Sequence, residues 1–152
     1  MDNYFKLACD ATIEGMQAGT GGPFGATLVD ASGEVIVAVG NTVLRDTDPS
    51  GHAEMVAVRE ACAKLNTLDL AGTTMYATCE PCPMCVAVMM WAGVSKCFFA
   101  STRVDAADNG FSDQHLRDYL DGSDPAAFDM EHLDEGRDDC AEIWTEFQRL
   151  NA

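Results

Sequence analysis

Two short stretches of this 152-residue chain carry the side chains best suited to chemistry: His52-Ala53-Glu54 and Pro81-Cys82-Pro83-Met84-Cys85. An imidazole and two thiolates are a suitable donor set for zinc, and Cys-x-x-Cys at a helix start lets both sulfurs reach one tetrahedral ion. Helix N-termini present unpaired N–H groups and a partial positive charge, which lowers a thiol pKa and favours the thiolate. Three protein ligands leave the fourth position to water, the arrangement of a catalytic ion. Glu54 sits two residues past His52. From there it can lie beside the metal without ligating it, take a proton from activated water and pass it to a leaving group.

Each part also has a plainer reading. A histidine at a helix start is often a cap or a surface group, and a single Cys-x-x-Cys can be a redox pair or half of a structural site. Cys79, three residues before Cys82, could join His52, Cys82 and Cys85 in a closed Cys₃His site with no open position. Taken together, with Glu54 present and both halves opening predicted helices, the residues favour catalytic zinc. Seven cysteines are an odd number, and three crowd around two prolines. In a chain whose first ten residues show no export signal, that favours metal ligation or redox chemistry over a disulfide framework, and a cytoplasmic address.

The elements that must hold these residues are legible in the hydrophobic pattern. Phe5, Ala8, Cys9, Thr12, Ile13 and Met16 follow a helical period, closed by Gly19, Gly21 and Gly22. Ala26–Asp30 and Val35–Val39 read as an antiparallel hairpin. A polar stretch, Asn41–Gly51, leads into a helix over His52–Leu65. Thr73–Thr78 is a predicted strand, Cys82–Ala92 a helix apolar nearly all round and therefore buried, and Lys96–Ala100 a further strand. The result is an α/β layer sandwich whose strand–helix–strand unit contributes one parallel pair. Residues 1–120 form the expected catalytic domain. A helix over Asp113–Leu120 leads to a linker at Asp121–Pro125 and a tail, 121–152, whose last helix carries Ile143, Trp144, Phe147 and Leu150 on one side. That stripe must bury, either on its own domain or on a partner subunit.

Charge narrows the partners. The chain has 25 acidic and 9 basic side chains, a formal net of −16; from Val104 onward 14 acids face 3 bases, a net of −11. Wide binding to nucleic acid or anionic membrane needs clustered Lys and Arg, which this chain lacks. The longest apolar stretch, Cys85–Val94, is about half the length of a transmembrane helix. At 47% hydrophobic and 22% charged residues the composition is that of a globular protein, with neither nucleic acid nor membrane expected as a partner.

The chain resembles the cytidine/deoxycytidylate deaminase superfamily, and within it the guanine deaminase branch. The likeness runs from about Gly21 to Asp113. It rests on Gly22-Pro23-Phe24-Gly25-Ala26, on Asn41, on Asp48-Pro49-x-x-His52-Ala53-Glu54 and on Thr78-Cys79-Glu80-Pro81-Cys82-Pro83-Met84-Cys85. Asp105-Ala106-Ala107-Asp108-Asn109-Gly110-Phe111-Ser112-Asp113 points to guanine deaminases. The resemblance implies a three-layer α/β/α sandwich with a mixed central sheet, and one Zn2+ per subunit on His52, Cys82 and Cys85, with Glu54 as proton shuttle. It implies that Phe24 and Trp91 flank the substrate ring, Asn41 hydrogen-bonds it, the Ala53 N–H holds a ring carbonyl and Asp113 reads the amino edge of a guanine-like base. Core packing for Phe24 and Trp91, a turn role for Asn41 and a helix N-cap for Asp113 are the competing assignments.

The family further implies a homodimer whose C-terminal segments exchange, each covering the partner's site. Glu142 could then reach the site, or lie on a solvated acidic face. The expected activity is zinc-dependent hydrolytic deamination of a free nucleobase, guanine to xanthine plus ammonia. Guanosine, cytosine or cytidine and an ammeline-like triazine are the alternative substrates. Adenosine in tRNA is disfavoured by the charge. A structural-zinc module without catalysis is the reading from another class, and it leaves Glu54 without a purpose.

Overall fold

The computed structural model describes residues 3–152. Its helices and strands run α1 (Tyr4–Gln17), β1 (Gly25–Val29), β2 (Val35–Gly40), α2 (Val43–Asp46), α3 (Ala53–Leu65), β3 (Thr74–Cys79), α4 (Pro83–Ala92), β4 (Lys96–Ser101), α5 (Arg103–Asp108), α6 (Gln114–Leu120) and α7 (Arg137–Leu150). Short 3₁₀ turns occupy Pro125–Ala127 and Asp134–Gly136. Two compact units divide at Arg117/Asp118.

In the first unit the strands form one mixed sheet in the order β2-β1-β3-β4. β1 is antiparallel to both β2 and β3, whereas β3 and β4 are parallel and joined through α4. Helices cover both faces, giving a three-layer α/β/α sandwich. The period-2 alternation of strands decides which side chain meets which layer. On one face Tyr76 meets Tyr4 of α1 at a tilt and Phe5 edge to face, at 4.8 and 5.5 Å between ring centroids, and the Thr27 hydroxyl donates to the Tyr4 carbonyl at 2.9 Å. On the other, Ala26, Leu28 and Met75 pack with Ala53, Ala57 and Ala61 of α3 and with Met89 and Ala92 of α4. The alanines, one per helical turn, form a smooth stripe that lets α3 lie close to the sheet. This layer brings the starts of α3 and α4 together beside the C-terminal end of β3. Such crevices at strand carboxyl ends are where open α/β sheets bind ligands.

Three local features differ from the sequence expectation. The polar stretch after β2 holds the one-turn helix α2, and Asn41 and Thr42 there are buried. A further short helix, α5, follows β4, started by a capping box between Thr102 and Asp105. Apolar on every side, α4 buries Cys85, Met89 and Ala92 but leaves Val86, Met90 and Trp91 exposed, so the expectation of a fully buried helix fails. Its apolar composition is matched by cover on one side only.

The second unit ends in α7, whose Ile143, Trp144, Phe147 and Leu150 are all exposed. Within the unit, Tyr119 meets Phe128 edge to face at 6.0 Å. No helix of the described residues is long and apolar enough to cross a membrane.

Candidate metal centre and active site

His52 and Cys82 are the N-cap residues of α3 and α4, and neither side chain makes a capping hydrogen bond. Residues in that position usually turn back onto the helix N–H groups; these two turn toward each other. Pro83 at the first position of α4 suits its fixed φ to the helix start and needs no N–H acceptor there. One turn in, Cys85 is fully buried. His52 Nδ1 lies 3.5 Å from both Cys82 Sγ and Cys85 Sγ, and the sulfurs are 3.7 Å apart.

This triangle fits zinc. Bonds of about 2.3 Å to sulfur and about 2.0–2.1 Å to imidazole nitrogen, in tetrahedral geometry, separate two sulfurs by roughly 3.8 Å and sulfur from nitrogen by roughly 3.5 Å. His52, Cys82 and Cys85 therefore form a candidate zinc site. Cys79 is not part of it: its thiol, also buried, donates to the Thr102 carbonyl at 3.5 Å. The closed four-ligand arrangement thus has no support in the geometry. All seven cysteines are free.

The hydrogen bond from Cys85 pulls the Cys82 thiol down to about 4, with His52 acting in the same direction; the Cys85 thiol, sharing its proton with Cys82 and buried, is held up. The Cys82 sulfur in turn raises His52. Glu54, in the first turn of α3, is 5% exposed, and burial drives its carboxyl above the ordinary carboxylate range. A buried acid beside a donor triangle is the arrangement expected of a proton carrier.

The centre opens on a cavity of about 650 Å³. His52, Glu54, Cys82 and Cys79 line it on the metal side, and Phe24, Asn41 and Asp113 line it elsewhere. The Asn41 side chain holds Gly22 from both ends of its amide, accepting from the Gly22 N–H at 3.0 Å and donating to the Gly22 carbonyl at 2.8 Å. The approach is so close that a β-carbon on Gly21 would strike the Asn41 backbone carbonyl and side-chain oxygen. Phe24 meets Phe111 edge to face at 5.1 Å. The Asp113 carboxylate is held by Arg117, whose Nε donates to both its oxygens at 3.1 Å.

Trp91 and Ala53 do not line this cavity. Trp91 is 89% exposed near the end of α4, and Ala53 is buried as the first residue of α3. Conversely, the cavity wall includes Phe111, Leu44, Glu80, Arg103 and His115, which the sequence reading assigned no role. Phe111 lies inside the Asp105–Asp113 stretch, but nothing in its type distinguishes a wall aromatic from a core one. Leu44 sits in a stretch whose polar composition hides it.

A profile of the cytidine and deoxycytidylate deaminase zinc-binding region matches residues 1–101. The chain belongs to this deaminase family. It is 39% identical to the guanine deaminase of Bacillus subtilis over 120 residues, 79% of this chain and 76% of the relative. The crystal structure of a Bacillus subtilis guanine deaminase superposes with a TM-score of 0.83 at 34% identity, covering 96% of this chain and 95% of that one. A tRNA-specific adenosine deaminase of Aquifex aeolicus is 42% identical over 79 residues, 52% of each chain. Family and site together make the deaminase a zinc-dependent hydrolase, with His52, Cys82 and Cys85 as its candidate zinc site.

Proposed function

We propose that this deaminase converts guanine and water to xanthine and ammonia. The observation that carries the reading is the His52–Cys82–Cys85 triangle beside buried Glu54, opening on a cavity whose other walls hold Asp113 and the Phe24–Phe111 pair. Likeness to a guanine deaminase over nearly the whole of both chains selects the base. His52, Cys82 and Cys85 would hold zinc, whose Lewis acidity would bring the pKa of water down toward neutrality. The water oxygen bonds to the carbon that bears the exocyclic amine; Glu54 accepts a water proton at its carboxylate and returns it to that nitrogen, the carbon–nitrogen bond breaks, ammonia leaves, and the second water proton stays on the product as a ring N–H.

Phe24 offers an aromatic face or edge to a planar ring, and Asp113 accepts from base N–H groups. Asn41 retains one N–H and one lone pair beyond its bonds to Gly22 for a ring substituent. The N-terminal N–H of Ala53 is directed as helix starts require, outward with no acceptor one turn back. Trp91 acts on the base only if it reaches a site outside the cavity of its own chain. The net charge of −16 supports a free base over tRNA, although tRNA deaminases are among the relatives. Seven free thiols suit a reducing, cytoplasmic compartment. The exposed stripe on α7 supports a homodimer.

The test is ammonia release from guanine, guanosine, cytosine, cytidine, adenine and ammeline. Guanine should lead the panel, and faster release from any other member replaces it as the substrate. Glu54→Ala should keep one zinc per chain by elemental analysis and lose at least about 10²–10⁴-fold in kcat. Near-normal turnover in that variant would sink the mechanism.

A further inference from the structure

We infer that Arg117 is a positioning residue of the deamination site, fixing the Asp113 carboxylate at a set distance from the metal-binding turn. This rests on the reading that Asp113 meets the base. Arg117 stands on α6, one turn after Asp113, with its side chain 24% exposed and that of Asp113 19%. Its Nε donates to both carboxylate oxygens at 3.1 Å, and its Nη2 lies 2.9 Å from Asp113 Oδ2. The same Nη2 donates to the Pro81 carbonyl at 3.2 Å, directly before the zinc ligand Cys82, and is 3.8 Å from Glu80 Oε2. Glu80 accepts from the Arg103 N–H at 3.3 Å, so the start of α5 joins the same network.

An exposed i,i+4 ion pair contributes only a few tenths of a kcal/mol and commonly serves the helix alone. This pair is largely covered, and the guanidinium makes a third contact to a segment 36 residues away in the chain. A planar fork can hold a carboxylate and a carbonyl together at fixed angles; the ammonium of lysine cannot. The need is physical. Asp113 follows the turn at Gly110, whose φ is +89° with nothing close to a β-carbon there. The packing of this turn, Phe111 on Phe24, holds an aromatic ring and not the Asp113 carboxylate, which Arg117 holds. A displacement of about 1 Å in a group that orients the reacting base can cost about 100-fold in rate.

The experiment is a double-mutant cycle on the zinc-loaded full chain, reading kcat and KM for guanine and zinc by elemental analysis. Arg117→Gln should keep one zinc per chain and lower kcat/KM by about 10- to 100-fold, and Arg117→Lys should recover part of that loss. In an Asp113→Ala background Arg117→Gln should change nothing further, because the residue acts through the carboxylate. If Arg117→Gln does not fold, Arg117→Lys carries the same cycle: its smaller loss must vanish without Asp113. Unchanged kcat/KM in Arg117→Gln, loss of its zinc, or an effect that adds in full to Asp113→Ala overturns the inference while Asp113 keeps its role. Full activity in Asp113→Ala itself overturns the reading of Asp113, and the assignment of Arg117 with it.

Discussion

Burial of Glu54 makes the stability of the metal-free chain depend on pH. In the chain stripped of zinc, its carboxyl has a folded-state pKa above the ordinary 4.5, so the folded state holds that proton more tightly than the unfolded one. Stability from this group is fully present below 4.5 and falls as pH rises through the folded value. Urea denaturation in chelator should therefore show a steeper loss toward alkaline pH for the native sequence than for Glu54→Gln; equal slopes would contradict it. Cys79 offers a second check at the same scale. Its thiol serves the Thr102 carbonyl, so Cys79→Ser should retain one zinc and most of the activity. Loss of the metal from that variant would mean that a fourth sulfur closes the site.

At the scale of elements, the site depends on how closely backbone segments approach. The helices that carry His52, Cys82 and Cys85 meet because small residues on α3 allow it to lie on β1 and β3. On the opposite wall, Gly21 and Gly22 run against Asn41 with no room for a β-carbon at Gly21. Gly21→Ala should cost about 1–3 kcal/mol in denaturant melts. It should also raise the KM for guanine, because the displaced Asn41 belongs to the cavity wall. A variant with unchanged stability would show that this loop moves aside at little cost.

For the whole molecule, charge and exposed apolar surface point in different directions. Most of the net −16 lies after Arg103, on a segment that also carries exposed Ile143, Trp144, Phe147 and Leu150. Acidity keeps such a chain soluble, but a stripe of large apolar side chains marks a surface that associates. Light scattering should give twice the chain mass for the full protein, and the single-chain mass after truncation before Asp124. A full-length monomer would reject the homodimer. An unaltered dimer after truncation would place its interface elsewhere.

Much of this was legible in one dimension. His52, Glu54, Cys82 and Cys85 could be picked out because metal chemistry restricts residue types and spacing, and the central strands and helices because period-2 and period-3.6 patterns survive in any context. Helix starts were readable for the same local reason, and His52 and Cys82 do stand at the N-caps. Residue types and spacing favoured Cys82 and Cys85 over Cys79 as donors, but the contact of the Cys79 thiol with the Thr102 carbonyl depends on the direction of its side chain in space. Local signals could not foresee that α4 is covered on one side, since apolar composition reports what a helix can bury and not what lies beside it. The contact of Arg117 with Pro81 joins residues that no periodicity relates. Donor chemistry and element type were thus written in the sequence, whereas the shape of the cavity, the partners of its carboxylates and the exposure of Trp91 were settled by packing among distant segments.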